Sequence, residues 1–212
     1  MSIRFSMMIA IPSFVGFLVL ANPILALLFN GNIDISANML RLGAITVVFY
    51  CMSTVTNAIL QGLNKMTTPV KHGAISLCIH LAGLFIMLVI FKMGIYAVVA
   101  SNIIFSLSMC ILNARALKRE AAYHQEVEKT FLIPAVAAVV MGVVALIIYF
   151  LCNLVMSQNI AVIIALIVAV VVYGVSLLKF GGLSQEEILA LPKGSTLLSL
   201  FQKLHLVKEE YA

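Results

Sequence analysis

Thr46, Tyr50, Ser53, Asn57, Gln61 and Asn64 are hydroxyl and amide side chains that recur at steps of three and four residues inside an apolar stretch. At about 100° per residue, such steps fall on one narrow stripe of a helix. A second run, Asn102, Ser106, Cys110 and Asn113, has the same spacing. Hydroxyls and amides donate and accept hydrogen bonds without carrying charge. The chemistry they offer is therefore recognition of the hydroxyl, amide or phosphate oxygens of a polar headgroup, with Thr46, Tyr50, Ser53, Asn57, Gln61, Asn64, Asn102, Ser106 and Asn113 as cavity-lining candidates. The competing role is structural, since the same groups tie membrane helices together at about 0.6 to 2 kcal/mol per contact. In either role the stripe must be covered, because an amide facing hydrocarbon costs several kcal/mol.

Other chemistry is poorly supplied. Asp34, Glu120, Glu126, Glu128, Glu186, Glu187, Glu209 and Glu210 are the acids, and all lie between or beyond the apolar runs. A carboxylate proton relay or ion site inside the membrane is not expected. His72 and His80 share a face near Cys78 but form no three-ligand metal pattern, so no metal and no cofactor is expected. His72 is read as interfacial, and His80 as hydrogen-bonded inside the bundle. Cys51, Cys78, Cys110 and Cys152 fall in separate apolar segments without a C-x-x-C pair, the pattern of buried free thiols packing as small apolar residues. Neither a P-loop nor a nucleophile elbow is present, and nothing points to an enzyme.

The elements that carry these side chains are membrane spans. The chain is 63% hydrophobic and 10% charged with a mean hydropathy of +1.16, far from a soluble domain. An all-α integral membrane protein is expected, with spans near 5–29, 39–63, 73–91, 94–114, 131–152 and 160–178. The apolar run after Arg4 is too long for a signal h-region. Pro12, Gly16 and Pro23 mark the first span as bent and supply hinge candidates. Residues 115–130 form a charged connector. The fifth and sixth spans are almost free of polar groups, as lipid-exposed helices are. Gly181 and Gly182 close the sixth, and residues 179–212 read as a cytoplasmic amphipathic tail. There Ser184 and Glu187 form a capping box, Pro192 is a stop, and Ser195 or Thr196 opens a helix lying on the membrane surface.

Alternating the loops places Arg4, Lys65, Lys71, Arg115, Lys118, Arg119, Lys129, Lys179, Lys193, Lys203 and Lys208 on one side and Arg41 and Lys92 on the other. By the positive-inside rule both termini are cytoplasmic, which six spans satisfy. The same rule accounts for the formal charge of +5, and no nucleic-acid partner is expected.

Three stretches, IPSFVGFLVLANPILALLFNG, TNAILQGLNKMTTPVK and GGLSQEEILALPKG, occur in that order. With them the chain resembles the last six helices of the multidrug/oligosaccharidyl-lipid/polysaccharide flippase superfamily. Within it the polysaccharide biosynthesis group that includes stage V sporulation protein B, related to the lipid II flippases, is most similar. The resemblance implies helices nine to fourteen of a two-lobed transporter that moves lipid-linked sugars or peptidoglycan precursors across the plasma membrane. It also implies that the cationic residues gripping the headgroup pyrophosphate belong mainly to helices outside this chain, so that none is carried over to it, and that the two apolar helices border a groove for a polyprenyl tail.

The leading expectation is thus part of a lipid-linked oligosaccharide flippase, a fragment or half working with an N-terminal lobe as a separate chain. A non-transporting scaffold in cell-envelope or spore-wall synthesis, acting through the connector and tail, is the alternative from another class. A multidrug-type exporter fragment and an enzyme acting on polyprenyl substrates rank below both.

Overall fold

A computed structural model describes residues 2–29, 31–121 and 128–183. Its helices are α1 (Ser2–Leu28), α2 (Asp34–Gly62), α3 (Thr67–Phe85), α4 (Ile95–Ala121), α5 (Ile133–Val155) and α6 (Gln158–Lys179). A π-helical turn, Ile86–Ile90, continues α3, and another, Glu128–Leu132, precedes α5. No strand occurs among the described residues, and six helices are long and apolar enough to cross a membrane. The described residues form two compact units, one on each side of residues 122–127.

Most helices outrun the apolar windows that announce them. Helix α2 begins at Asp34 rather than 39, α3 at Thr67 rather than 73, and α4 runs on to Ala121 rather than 114. Hydropathy marks the hydrocarbon thickness, whereas backbone hydrogen bonding continues into the interface until a cap ends it. Asp34 favours a start by placing a negative charge at the positive end of the helix dipole, and its N–H is held by Asn32 Oδ1 at 3.0 Å. Pro69 sits in the first turn of α3, where its missing N–H costs nothing.

The turns are built by specific backbone chemistry. Asn64 takes φ +60° just past α2, with its N–H on Gln61 O at 3.0 Å and Lys65 N–H on Leu60 O at 2.9 Å. This is a Schellman closure, in which asparagine serves because it tolerates the left-handed region. Gly181, at φ +69°, ends α6 in the same way, with Gly182 N–H on Leu177 O at 2.8 Å. Lys92 and Gly94, at φ 50° and 57°, make the reversal between α3 and α4, which pack as neighbours.

In the first unit α2 packs against both α1 and α4, and α3 packs on α4 while barely touching α2. Small residues allow the approach: a Cβ on Gly43 would lie 3.5 Å from Val99, and one on Gly83 would lie 3.7 Å from Ile104. Helix α1 departs from helical dihedrals at Leu20 (φ −105°, ψ 20°). That residue lies three before Pro23, whose ring crowds the preceding turn. Pro12 and Gly16 lie in regular helix, and Leu20, Ala21 and Pro23 are buried.

The second unit is an α5–α6 hairpin reversed at Met156 and Ser157. Ala137, Ala138, Met141, Gly142 and Ala145 are buried on one helix and Ala161, Val162, Ala165 and Ala169 on the other. In lipid, where hydrophobic burial supplies little drive between helices, such small-residue stripes permit the close backbone contact that dispersion needs. Large residues such as Val143, Phe150, Leu154, Ile167 and Val170 stay exposed, as lipid-facing positions do. The expected amphipathic tail, including Ser184, Glu187 and Pro192, lies outside the described residues, as does the middle of the connector.

Candidate functional site

The polar stripes of α2 and α4 meet, and they do so in two different ways. In the half nearer the α2–α3 turn, the buried Asn113 of α4 closes the seam. Its Nδ2 donates to Asn57 Oδ1 at 2.7 Å and lies 3.3 Å from both Ser53 O and Thr56 Oγ1. A backbone carbonyl can only accept, so the Ser53 contact fixes which end of the Asn113 amide points at α2. Thr56 Oγ1 agrees, because its own proton goes to Met52 O or Ser53 O at 2.9 and 3.0 Å. Asn113 Oδ1 therefore faces α3, where His72 Nδ1 lies 2.8 Å away. An acceptor oxygen requires a donor there, so the neutral imidazole carries its proton on Nδ1. One amide of α4 thus links α2 to α3, two helices that barely touch each other directly.

Ser53 and Ser106 are buried and spend their hydroxyls on their own helices, on Tyr50 O and Ile103 O, both at 3.0 Å. Gln61 and Asn64 are exposed at the end of α2, where Asn64 serves the turn. Beside that turn Lys65 Nζ is 3.1 Å from Glu120 Oε2, tying the α2–α3 turn to the end of α4.

In the other half the stripes part. Thr46, Tyr50 and Asn102 line a groove of about 380 Å³ between α1, α2 and α4, whose remaining wall is Phe17, Met39, Leu40, Gly43, Ala44, Val47 and Val99. Tyr50 is 55% exposed. An apolar groove with a few hydroxyl and amide groups on one side is the form of a site that takes an amphiphile and orients its polar end.

Sequence reasoning missed His72 and Thr56 as members of the clasp. Thr56 carried a signal, being three residues from Ser53, but the regular steps of the stripe run through Asn57 instead. His72 carried none, because only the packing of α3 on α4 brings it to Asn113. His80 corrects an expectation: its Nδ1 is buried without a hydrogen-bond partner, and the ring stands edge-on to Phe105 with centroids 5.9 Å apart. The four cysteines are free thiols, yet only Cys110 is buried, while Cys78 is exposed on the outer face of α3. Among the described residues no cluster of histidine, cysteine and acids could hold a metal ion.

A protein-family model described as Lipid II flippase MurJ matches residues 1–170. No curated protein and no solved structure matches the chain.

Proposed function

The chain belongs to the lipid II flippase family MurJ, and from that membership we propose that it moves a lipid-linked cell-wall precursor across the plasma membrane, with the α1–α2–α4 groove contributing to the headgroup path. The family transports and does not make or break covalent bonds. The observation that carries the reading is the open half of the α2–α4 seam, where Thr46, Tyr50 and Asn102 line an otherwise apolar groove. Uncharged donors and acceptors suit sugar hydroxyls and amides, which must be held and then released. At about 380 Å³ the groove accommodates a sugar-sized portion of such a headgroup and not the whole of it.

An N-terminal lobe, joined or separate, completes the pathway, and rocking of the two lobes exposes the headgroup alternately to each side. Both termini face the cytoplasm, which puts the Lys65–Glu120 end inside and the groove toward the outer half of the bilayer. The kink at Leu20 and Pro23 bends the helix that forms one wall of the groove.

The test is a vesicle flipping assay with lipid II, the chain being co-reconstituted with an N-terminal lobe of the family. Thr46→Val, Tyr50→Phe and Asn102→Leu combined are expected to lower the flipping rate at least about tenfold, the scale of roughly 1.4 kcal/mol lost from the barrier-crossing state. Unchanged flipping by a correctly inserted triple variant overturns the role of the groove.

A further inference from the structure

The clasp leaves two polar atoms over. Asn57 uses Oδ1 and His72 uses Nδ1, so Asn57 Nδ2 and His72 Nε2 have no hydrogen-bond partner, and neither is sealed from solvent. His72 stands five residues inside α3, about 7.5 Å along the helix from Thr67, near the depth of lipid headgroups. We propose that His72, anchored by Asn113, is a proton-gated contact for the diphosphate of an isoprenoid-linked cargo. This rests on the transport reading for its cargo, and it concerns a different part of the chain from the groove.

Protonation changes this histidine in one respect only. Nδ1 already carries a proton and keeps donating to Asn113 Oδ1, so the three-helix clasp survives. Nε2 turns from an acceptor into a charged donor, the form that a phosphate oxygen binds. The switch alters affinity and leaves the fold as it was. Histidine is the side chain that ordinarily makes this change between about pH 5 and 8.

The same end of the first unit carries several bases. From α2 and its turn comes Lys65, already paired with Glu120. Helix α4 brings Cys110, Arg115, Lys118, Arg119 and Glu120, and α3 itself carries Lys71, Cys78 and His80. Among the described residues of the first unit Glu120 is the acid at this end, and it is paired with Lys65. A diphosphate oxygen at Nε2 favours the protonated ring, and the protonated ring favours the diphosphate. Anion and proton therefore bind together, each raising the affinity of the other.

The test measures binding of farnesyl diphosphate to the full chain in detergent by calorimetry at pH 6 and pH 8, with farnesol and inorganic diphosphate as the other arms. Affinity for farnesyl diphosphate is expected to be about tenfold higher at pH 6, an ordinary size for a linkage coupling. The ligand itself loses negative charge toward pH 6, which works against that gain. His72→Asn keeps a donor near the position of Nδ1 and removes Nε2, so it should lose the pH gain while retaining its unfolding temperature. A pH profile shared by wild type and His72→Asn overturns the proposal, as does a pH gain of the same size with farnesol. Affinity for inorganic diphosphate equal to that for farnesyl diphosphate overturns the assignment to a lipid-borne group. A substitution-free check uses diethyl pyrocarbonate with peptide mass spectrometry. Farnesyl diphosphate should shield His72 and not His80 from acylation, and absence of shielding sinks the proposal. Loss of flipping in the groove variant with an intact His72 profile, or the reverse, separates the two readings.

Discussion

The two halves of the α2–α4 seam are made of the same kinds of residue and end in opposite states. Near the α2–α3 turn, Asn113 bonds to Asn57, to Thr56 Oγ1, to the Ser53 carbonyl and to His72. Toward the other end, Thr46, Tyr50 and Asn102 face an open groove. What separates them is the partner across the seam. Asn113 is long enough to reach three acceptors on α2, whereas the position nearest Gly43 is Val99, which fills space without bonding. The α5–α6 hairpin shows a third solution, a seam of alanine and glycine closed by backbone approach alone. A polar stripe in a membrane helix is thus neither a site nor a clasp until its neighbour is known.

The comparison can be broken by substitution. Asn113→Leu should cost most, about 2 to 3 kcal/mol in a reversible unfolding titration, because it removes the links to α2 and leaves Asn57 and His72 unpaired. A loss below about 0.5 kcal/mol would mean that the clasp holds nothing. Ala165→Leu in the α5–α6 seam should cost about 1 to 3 kcal/mol by overpacking a site that is fully buried. The same change at the lipid-facing Ile167 should be nearly silent. Lys65→Ala removes an exposed ion pair and should cost about 0.2 to 1 kcal/mol, less at high salt. Asn102→Leu should change stability least, by no more than about 0.5 kcal/mol, yet reduce flipping. If it destabilised as much as Asn113→Leu, the distinction between the halves would fail.

Much of the architecture was legible because a bilayer allows few solutions. Apolar runs of about 20 residues must be helices, since no water is present to satisfy a free backbone, and six such runs became six helices. The turn signals were equally local: Asn64, Gly94 and Gly181 each occupy the left-handed region their residue type tolerates. Helix ends were less legible, because hydropathy does not register the turns that extend into the interface, as at Asp34 and Thr67.

The sequence by itself therefore determined the class of protein, the spans and their order, and the presence of hydroxyl and amide stripes on α2 and α4. Periodicity reports a direction around one helix axis, which is an intrahelical property. Only the tertiary structure decided that Asn113 rather than Asn102 closes the seam, that His72 from α3 joins it through Nδ1, and that Thr46 and Tyr50 are left beside open space. Those outcomes depend on the register and rotation of one helix against another, set by contacts such as Gly43 on Val99 and Gly83 on Ile104. No spacing within a single helix encodes them.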